Sequence, residues 1–209
     1  MSNALSGVRA DHRYSYRDLE HFAKHVRRSL GWPEDQRVDT LGLFENLDDI
    51  TIVQSDGTKI PLRGGVVSLE GSEGYTRYEP QRHMIEILAS EETYQRLEGG
   101  HPRAGYFVAH ELGHCILHTD QLVRLAQMPS QQQAAFHRGR ADHKPYEDTE
   151  WQANGFASAL LMPARAMRAL EEAHGKLTPR LMVEHFGVSE EAGGYRIDLY
   201  SNRGCELLG

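Results

Sequence analysis

Residues 102–118, Pro-Arg-Ala-Gly-Tyr-Phe-Val-Ala-His-Glu-Leu-Gly-His-Cys-Ile-Leu-His, are apolar on nearly every side of a helical projection, yet they contain histidines and a glutamate. A helix that is apolar all round is buried in the middle of a domain, and ionisable groups carried into such a place must be paired or coordinate a metal. His110 and His114 are four residues apart, so their imidazoles share one face of the helix and can reach a single tetrahedral ion. Glu111 falls one step round, beside such an ion rather than on it, where a carboxylate can take a proton from metal-bound water. The spacing H-E-x-x-H thus constrains the fold and the chemistry together, because the domain must close around this helix while leaving one face of it open.

A catalytic ion of this kind takes three protein ligands and a water, so a third ligand is required. His118 lies eight residues after His110, but the glycine that follows H-E-x-x-H where a third histidine arrives in an extended turn is missing. His118 is therefore expected to support a ligand or the helix end. Glu150 and Asn154, four apart on the next predicted helix, offer a carboxylate ligand and an amide that hydrogen-bonds a ligating histidine. His137, Asp142, His143, Glu147 and Asp148 are nearby rivals, but only Glu150 combines a helical face with a polar partner one turn on. Cys115, next to His114, points about 100° away toward the core and reads as an inert buried thiol. The expected cofactor is one divalent metal, with zinc first and manganese second.

The rest of the chain sets the frame. At roughly 150 residues per domain, 209 residues give one large domain or one with a small appendage. A chain of this size needs no metal merely to fold, so an ion serves chemistry or local order. A net charge of −7 argues against a phosphate-coating nucleic-acid binder, and two cysteines are too few for a disulfide framework. Apolar runs no longer than Ala159–Met162 provide no membrane span, and a polar start at Met1–Ala4 points to a cytoplasmic protein.

Periodicity predicts an amphipathic helix from Tyr16 to Leu30 and a short one from Val38 to Leu47. Strands are expected at 50–53 and 60–67, joined across Asp56-Gly57, and at Met84–Leu88, which alternates enough to lie at or near a sheet edge. Ser90 opens a short helix. Residues 119–147 read as a weakly periodic connection with one helical turn, in which His137-Arg138-Gly139-Arg140 and Lys144 form a solvated basic loop. Asp148, Pro163, Thr178-Pro179 and Ser189 start four further helices, with breaks at Gly175 and Gly187. The last two helices have helix-turn-helix proportions, but Glu190, Glu191 and Asp198 oppose Arg196 and Arg203, the wrong balance for phosphate contacts. Gly193-Gly194 sits inside the last helix at about 1 kcal/mol each against alanine.

The motifs His-Glu-Leu-Gly-His-Cys-Ile-Leu-His and Glu-Trp-Gln-Ala-Asn-Gly-Phe-Ala-Ser-Ala-Leu-Leu-Met-Pro together resemble the ImmA/IrrE family of metallopeptidases, in which H-E-L-G-H is followed by E-x-x-A-N-x-F-A and a Leu-Leu-Met-Pro ending. The likeness extends upstream to Val38-Asp39 and the strand at 50–53, and downstream to Phe186-Gly187-Val188-Ser189, Glu191-Ala192 and Arg196, covering about residues 15–200. It departs at Arg103, which is displaced from the Arg-Phe pair that often precedes the family's histidine helix. The resemblance implies His110, His114 and Glu150 as metal ligands and Glu111 as catalytic base, in agreement with the spacing. It further implies an endopeptidase acting on a helix-turn-helix repressor encoded nearby, relieving repression in a stress response or mobile-element induction.

The expected fold class is α+β, a mainly helical gluzincin-like domain with a small mixed sheet and a C-terminal helical hairpin. Its expected division is a flexible N-terminus at 1–14, a metallopeptidase domain at 15–175, and a C-terminal segment at 176–209 packed on it. Tyr146, His143 and His174 are open candidates for the donor that steadies the oxyanion. The alternative is a regulator that keeps its metal for structure and binds a repressor or DNA without cutting. The intact Glu111 weighs against it, because a structural site has no use for a base.

Overall fold

The structure, a computed structural model, describes residues 8–54, 56–129 and 143–208. Helix α1, Tyr16–Ser29, begins at a reciprocal cap in which Ser15 and Asp18 each accept the other's backbone N–H. It ends before Gly31, whose φ of 70° a glycine adopts without strain. Helix α2, Thr40–Glu45, is capped by Asp39, and a short 3₁₀ turn at Leu47–Asp49 leads into the sheet.

Strands β1 (Thr51–Val53), β2 (Lys59–Val67), β3 (Gly74–Glu79) and β4 (Met84–Ser90) form one mixed sheet in the order β1-β2-β4-β3. The expected hairpin joins β1 to β2 with Ile52 opposite Ile60. β4 runs parallel to β2, with Ile87 opposite Gly64, and antiparallel to β3, with Ile87 opposite Thr76.

Residues 84–88 lie near the sheet edge as expected: β4 is the second strand in, covered by terminal β3, and is buried from Ile85 to Ser90. The alternation reflects Glu86. It is buried, yet Arg77, opposite it on β3, reaches its carboxylate at 2.7 Å, so the charge is paired across the two strands. β3 itself was missed, because Gly-Tyr-Thr-Arg-Tyr-Glu has too little apolar content to stand out.

The remaining helices are α3 (Glu91–Glu98), α4 (Pro102–Leu117), α5 (Thr119–Ala126), α6 (Thr149–Leu161), α7 (Ala164–His174), α8 (Pro179–Phe186) and α9 (Glu190–Leu208), with a 3₁₀ turn at Pro145–Glu147 before α6. The connection after the histidine motif thus opens with a helix of two turns rather than one. Residues 130–142, with the Gln131–Gln133 run, His137, the basic residues 138 and 140, and Asp142, lie outside the described residues.

α4 and α6 form the core pair. A Cβ at Gly113 would stand 3.1 Å from the Phe156 ring and 3.2 Å from the Ala153 backbone, so the two helices touch through glycine. α1 lies on the other side of α6, with Leu19 over Gly155. The fold is α+β, mainly helical with a small mixed sheet, and α8 and α9 make a C-terminal hairpin around Gly187, whose φ is 69°.

Gly193 is explained there, since a Cβ would come within 2.8 Å of Met182 Cβ on α8. The hairpin is fastened by Arg196, which is 2% exposed; its guanidinium donates to Met162 O at 3.0 Å and pairs with Glu20 of α1.

Residues 8–14 run along the start of α6. Arg9 bridges Asp148, Ala10 N–H donates to Glu147 O at 2.7 Å, and Asp11 takes both oxygens to Arg124 at 2.7 and 2.8 Å. No described helix is long and apolar enough to cross a membrane.

Candidate metal centre

α4 presents His110 and His114 on its open face, one turn apart, with the ring centroids 4.8 Å apart. Their Nε2 atoms lie 3.1 Å from each other. The first turn of α6 brings the Glu150 carboxylate across both, with one oxygen 3.1 Å from His110 Nε2 and the other 3.2 Å from His114 Nε2.

Asp148 sets this turn, because its Oδ1 accepts the N–H groups of Glu150 and Trp151 at 3.0 Å each and so starts the helix with Glu150 in its first turn. Bonds of about 2.0–2.1 Å to a tetrahedral ion imply donor separations of about 3.3 Å. The three donors therefore fit a small divalent cation, and the group could hold one.

Each ring has a partner on its other nitrogen. His110 Nδ1 lies 3.2 Å from Asn154 Oδ1, which places its N–H on the amide and leaves Nε2 facing the carboxylate. His114 Nδ1 lies 3.2 Å from His118 Nδ1.

Electrostatics follow from burial and from this crowding. Burial works against a charge on His110, but the hydrogen bond and field of Glu150 outweigh it and lift the ring above its ordinary pKa. Burial also opposes ionisation of Glu150, yet the two imidazoles hold its carboxyl well below the usual range. His118 is pushed down to about 3, by burial first and by His114 second, so it is a neutral ring.

Glu111 is turned toward the sheet. Its Oε2 accepts a hydrogen bond of 2.7 Å from the Thr76 hydroxyl on β3. His110, Glu111 and Glu150 stand between two hollows. One, of about 860 Å³, is walled by Glu73, Arg103, Tyr106 and the start of α9. The other, of about 450 Å³, lies between β3 and α5. The centre is therefore reached along a groove rather than closed on all sides.

The rival ligands are engaged elsewhere. Glu147 pairs with Arg9 and Arg13 and accepts the Lys144 N–H. Asp148 caps α6 and holds the His143 ring, whose side chain is 3% exposed, at 3.0 Å. His174 is exposed in the last turn of α7, and neither it, His143 nor Tyr146 lines the two hollows. Cys115 is fully buried, and burial pushes its thiol pKa up, as expected of an inert core residue. Sequence reading missed Thr76, whose strand it did not see, and Tyr106, whose hydroxyl donates to Asn154 O at 3.0 Å from the neighbouring helix.

Residues 101–198 match the family model of peptidase family M78, described as an IrrE N-terminal-like domain. No curated protein matches the chain at a significant level. Among solved structures the chain is similar to a Mycobacterium tuberculosis transcriptional regulator, at 17% identity over 86% of this chain and 55% of that one, with a TM-score of 0.44. The chain thus spans about half the length of that regulator.

Proposed function

Residues 101–198 belong to the ImmA/IrrE family of metallopeptidases, and on that premise we propose that the chain is a metal-dependent endopeptidase that cleaves a helix-turn-helix transcriptional repressor. The observation that carries the reading is the convergence of His110, His114 and Glu150 at 3.1–3.2 Å beside a carboxylate, Glu111, that lies outside the donor set. When bound, a divalent ion, zinc first and manganese second, polarises the scissile carbonyl and acidifies a water.

Glu111 accepts the proton of the attacking water and returns it to the leaving amine. The Thr76 hydroxyl holds Oε2, which leaves Oε1 as the oxygen available for that exchange. β3 is the terminal strand of the sheet, and its residues Tyr75 and Thr76 border the smaller hollow. An extended stretch of substrate pairs with that edge and runs its scissile bond past Glu111.

The repressor is the substrate class implied by the family and rests on that analogy. The ligand set is tested by metal content. Purified wild-type protein should hold about one divalent ion per chain, and His110→Ala and Glu150→Ala should lose most of it. Full occupancy in the Glu150→Ala protein overturns the ligand set.

A further inference from the structure

Gln152 lies on α6 two residues beyond Glu150 and is fully buried. Its amide nitrogen donates to two backbone carbonyls, His12 O at 2.7 Å and Tyr146 O at 2.8 Å. Both carbonyls only accept, so turning the amide over would set Oε1 against two other oxygens. The amide is thereby fixed, and Oε1 faces His118 Nε2 at 2.9 Å.

Oε1 only accepts, so His118 must carry its proton on Nε2. A neutral imidazole has one N–H, which makes His118 Nδ1 an acceptor. The atom 3.2 Å away is His114 Nδ1, and it must donate. His114 is then unprotonated at Nε2, the atom that faces His110 and Glu150. His118 is 5% exposed, so solvent offers little by way of a competing partner.

We propose that Gln152 is a positioning residue of the metal centre, which sets the tautomer of His114 through His118 and so turns a lone pair toward the metal. The direction of the relay originates in the backbone, because only the two carbonyls tell one end of the chain from the other. Without Gln152 the His114–His118 pair can reverse, placing a proton on His114 Nε2 where a ligand needs its lone pair. Residues 8–14 take part through His12 O, so this segment is linked to the centre through Gln152 and His118. The proposal rests on the reading of His110, His114 and Glu150 as metal ligands.

The test uses the full chain labelled with ¹⁵N-histidine, with and without zinc, and zinc affinity measured against a chromophoric chelator. In wild type, long-range ¹H–¹⁵N spectra place the His118 proton on Nε2 and the His114 proton on Nδ1 in both states. Gln152→Leu and His118→Phe each weaken zinc binding by about 10- to 100-fold, as loss of a ligand's outer partner generally does. The double variant binds no more weakly than His118→Phe alone, because the two residues act in series. A merely structural role for Gln152, clamping residues 12 and 146, gives additive losses instead.

Additive losses, unchanged affinity in Gln152→Leu, or a wild-type His118 protonated on Nδ1 overturns the proposal. The wild-type spectrum needs no variant, so misfolded mutants do not shelter it. Wild-type protein that binds no zinc overturns the ligand set beneath the proposal, whereas zinc binding with the opposite tautomer overturns the proposal alone.

Discussion

The His110 ring and the Glu150 carboxylate answer to each other's charge, so the pH dependence of stability should differ between metal-free and loaded protein. The folded pKa of His110 is raised, chiefly by Glu150 against the opposing effect of burial. The protonated pair therefore stabilises the metal-free protein below the ordinary imidazole pKa of about 6.5, and this stability is lost as pH rises through the raised value. Zinc needs the neutral ring, so its stabilisation grows over the same interval. Chelator-treated protein should show a Tm that falls as pH rises above about 6.5, while the difference between loaded and stripped protein widens; a difference that narrows with rising pH contradicts the assignment. At Thr76, removal of the hydroxyl in Thr76→Val should leave zinc content intact and lower kcat about tenfold with little change in KM, because only the orientation of Glu111 is lost. A variant with wild-type kcat removes Thr76 from the account. The two histidines, Glu111, Glu150 and Asn154 were legible because helical spacing puts residues three or four apart on one face. Thr76 and Gln152 were not, because their partners lie 35 and 34 residues away and no local pattern marks a contact of that separation.

The later helices were read from caps and breakers, and Ser90, Asp148, Thr178 and Ser189 hold the N–H groups expected of them, whereas the first two were read from periodicity alone and their caps, Ser15 and Asp39, emerge from the structure. The sheet was read less well, since strand order depends on which strands cover one another, and Glu86 looks the same in sequence whether water or Arg77 receives it. The contact between α4 and α6 matters most for the centre, because one helix carries both histidines and the other carries the carboxylate. Gly113 sets their separation, with Phe156 and Ala153 already within 3.1–3.2 Å of where a Cβ would sit. Gly113→Val should push α6 outward, destabilise the fold by about 1–3 kcal/mol as overpacking does, and weaken zinc binding beyond what the lost stability explains. Calorimetry and chelator competition on one preparation separate the two effects. Zinc affinity equal to wild type would show that this contact does not fix the donor spacing.

Across the whole molecule, the C-terminal hairpin walls the larger hollow through Val188, Ser189, Glu191 and Ala192, where on the proposed reading it meets the substrate. It is also bolted to the core by buried Arg196, which makes its removal a test of folding rather than of selectivity. Glu191 offers a gentler probe. The chain carries a net charge of −7, and a DNA-binding partner is basic on its DNA face, so encounter should be steered and should slow as ionic strength rises. Glu191→Lys should reduce kcat/KM several-fold at low salt while leaving metal content and kcat unchanged; an unchanged kcat/KM removes the hairpin from substrate selection. On the proposed reading a docked partner presents an extended segment along β3, so casein should be a poor substrate throughout. The central claim, that Glu111 beside a metal held by His110, His114 and Glu150 hydrolyses a peptide bond, is tested most directly by terminal-labelling mass spectrometry. The host's extract is incubated with zinc-loaded wild type and with Glu111→Gln at matched zinc content. The account predicts a small set of new amino-termini within a helix-turn-helix protein in the wild-type digest, reduced by at least about 10²-fold in the variant. The same termini at equal yield in both digests, or none in the wild-type digest, contradict it.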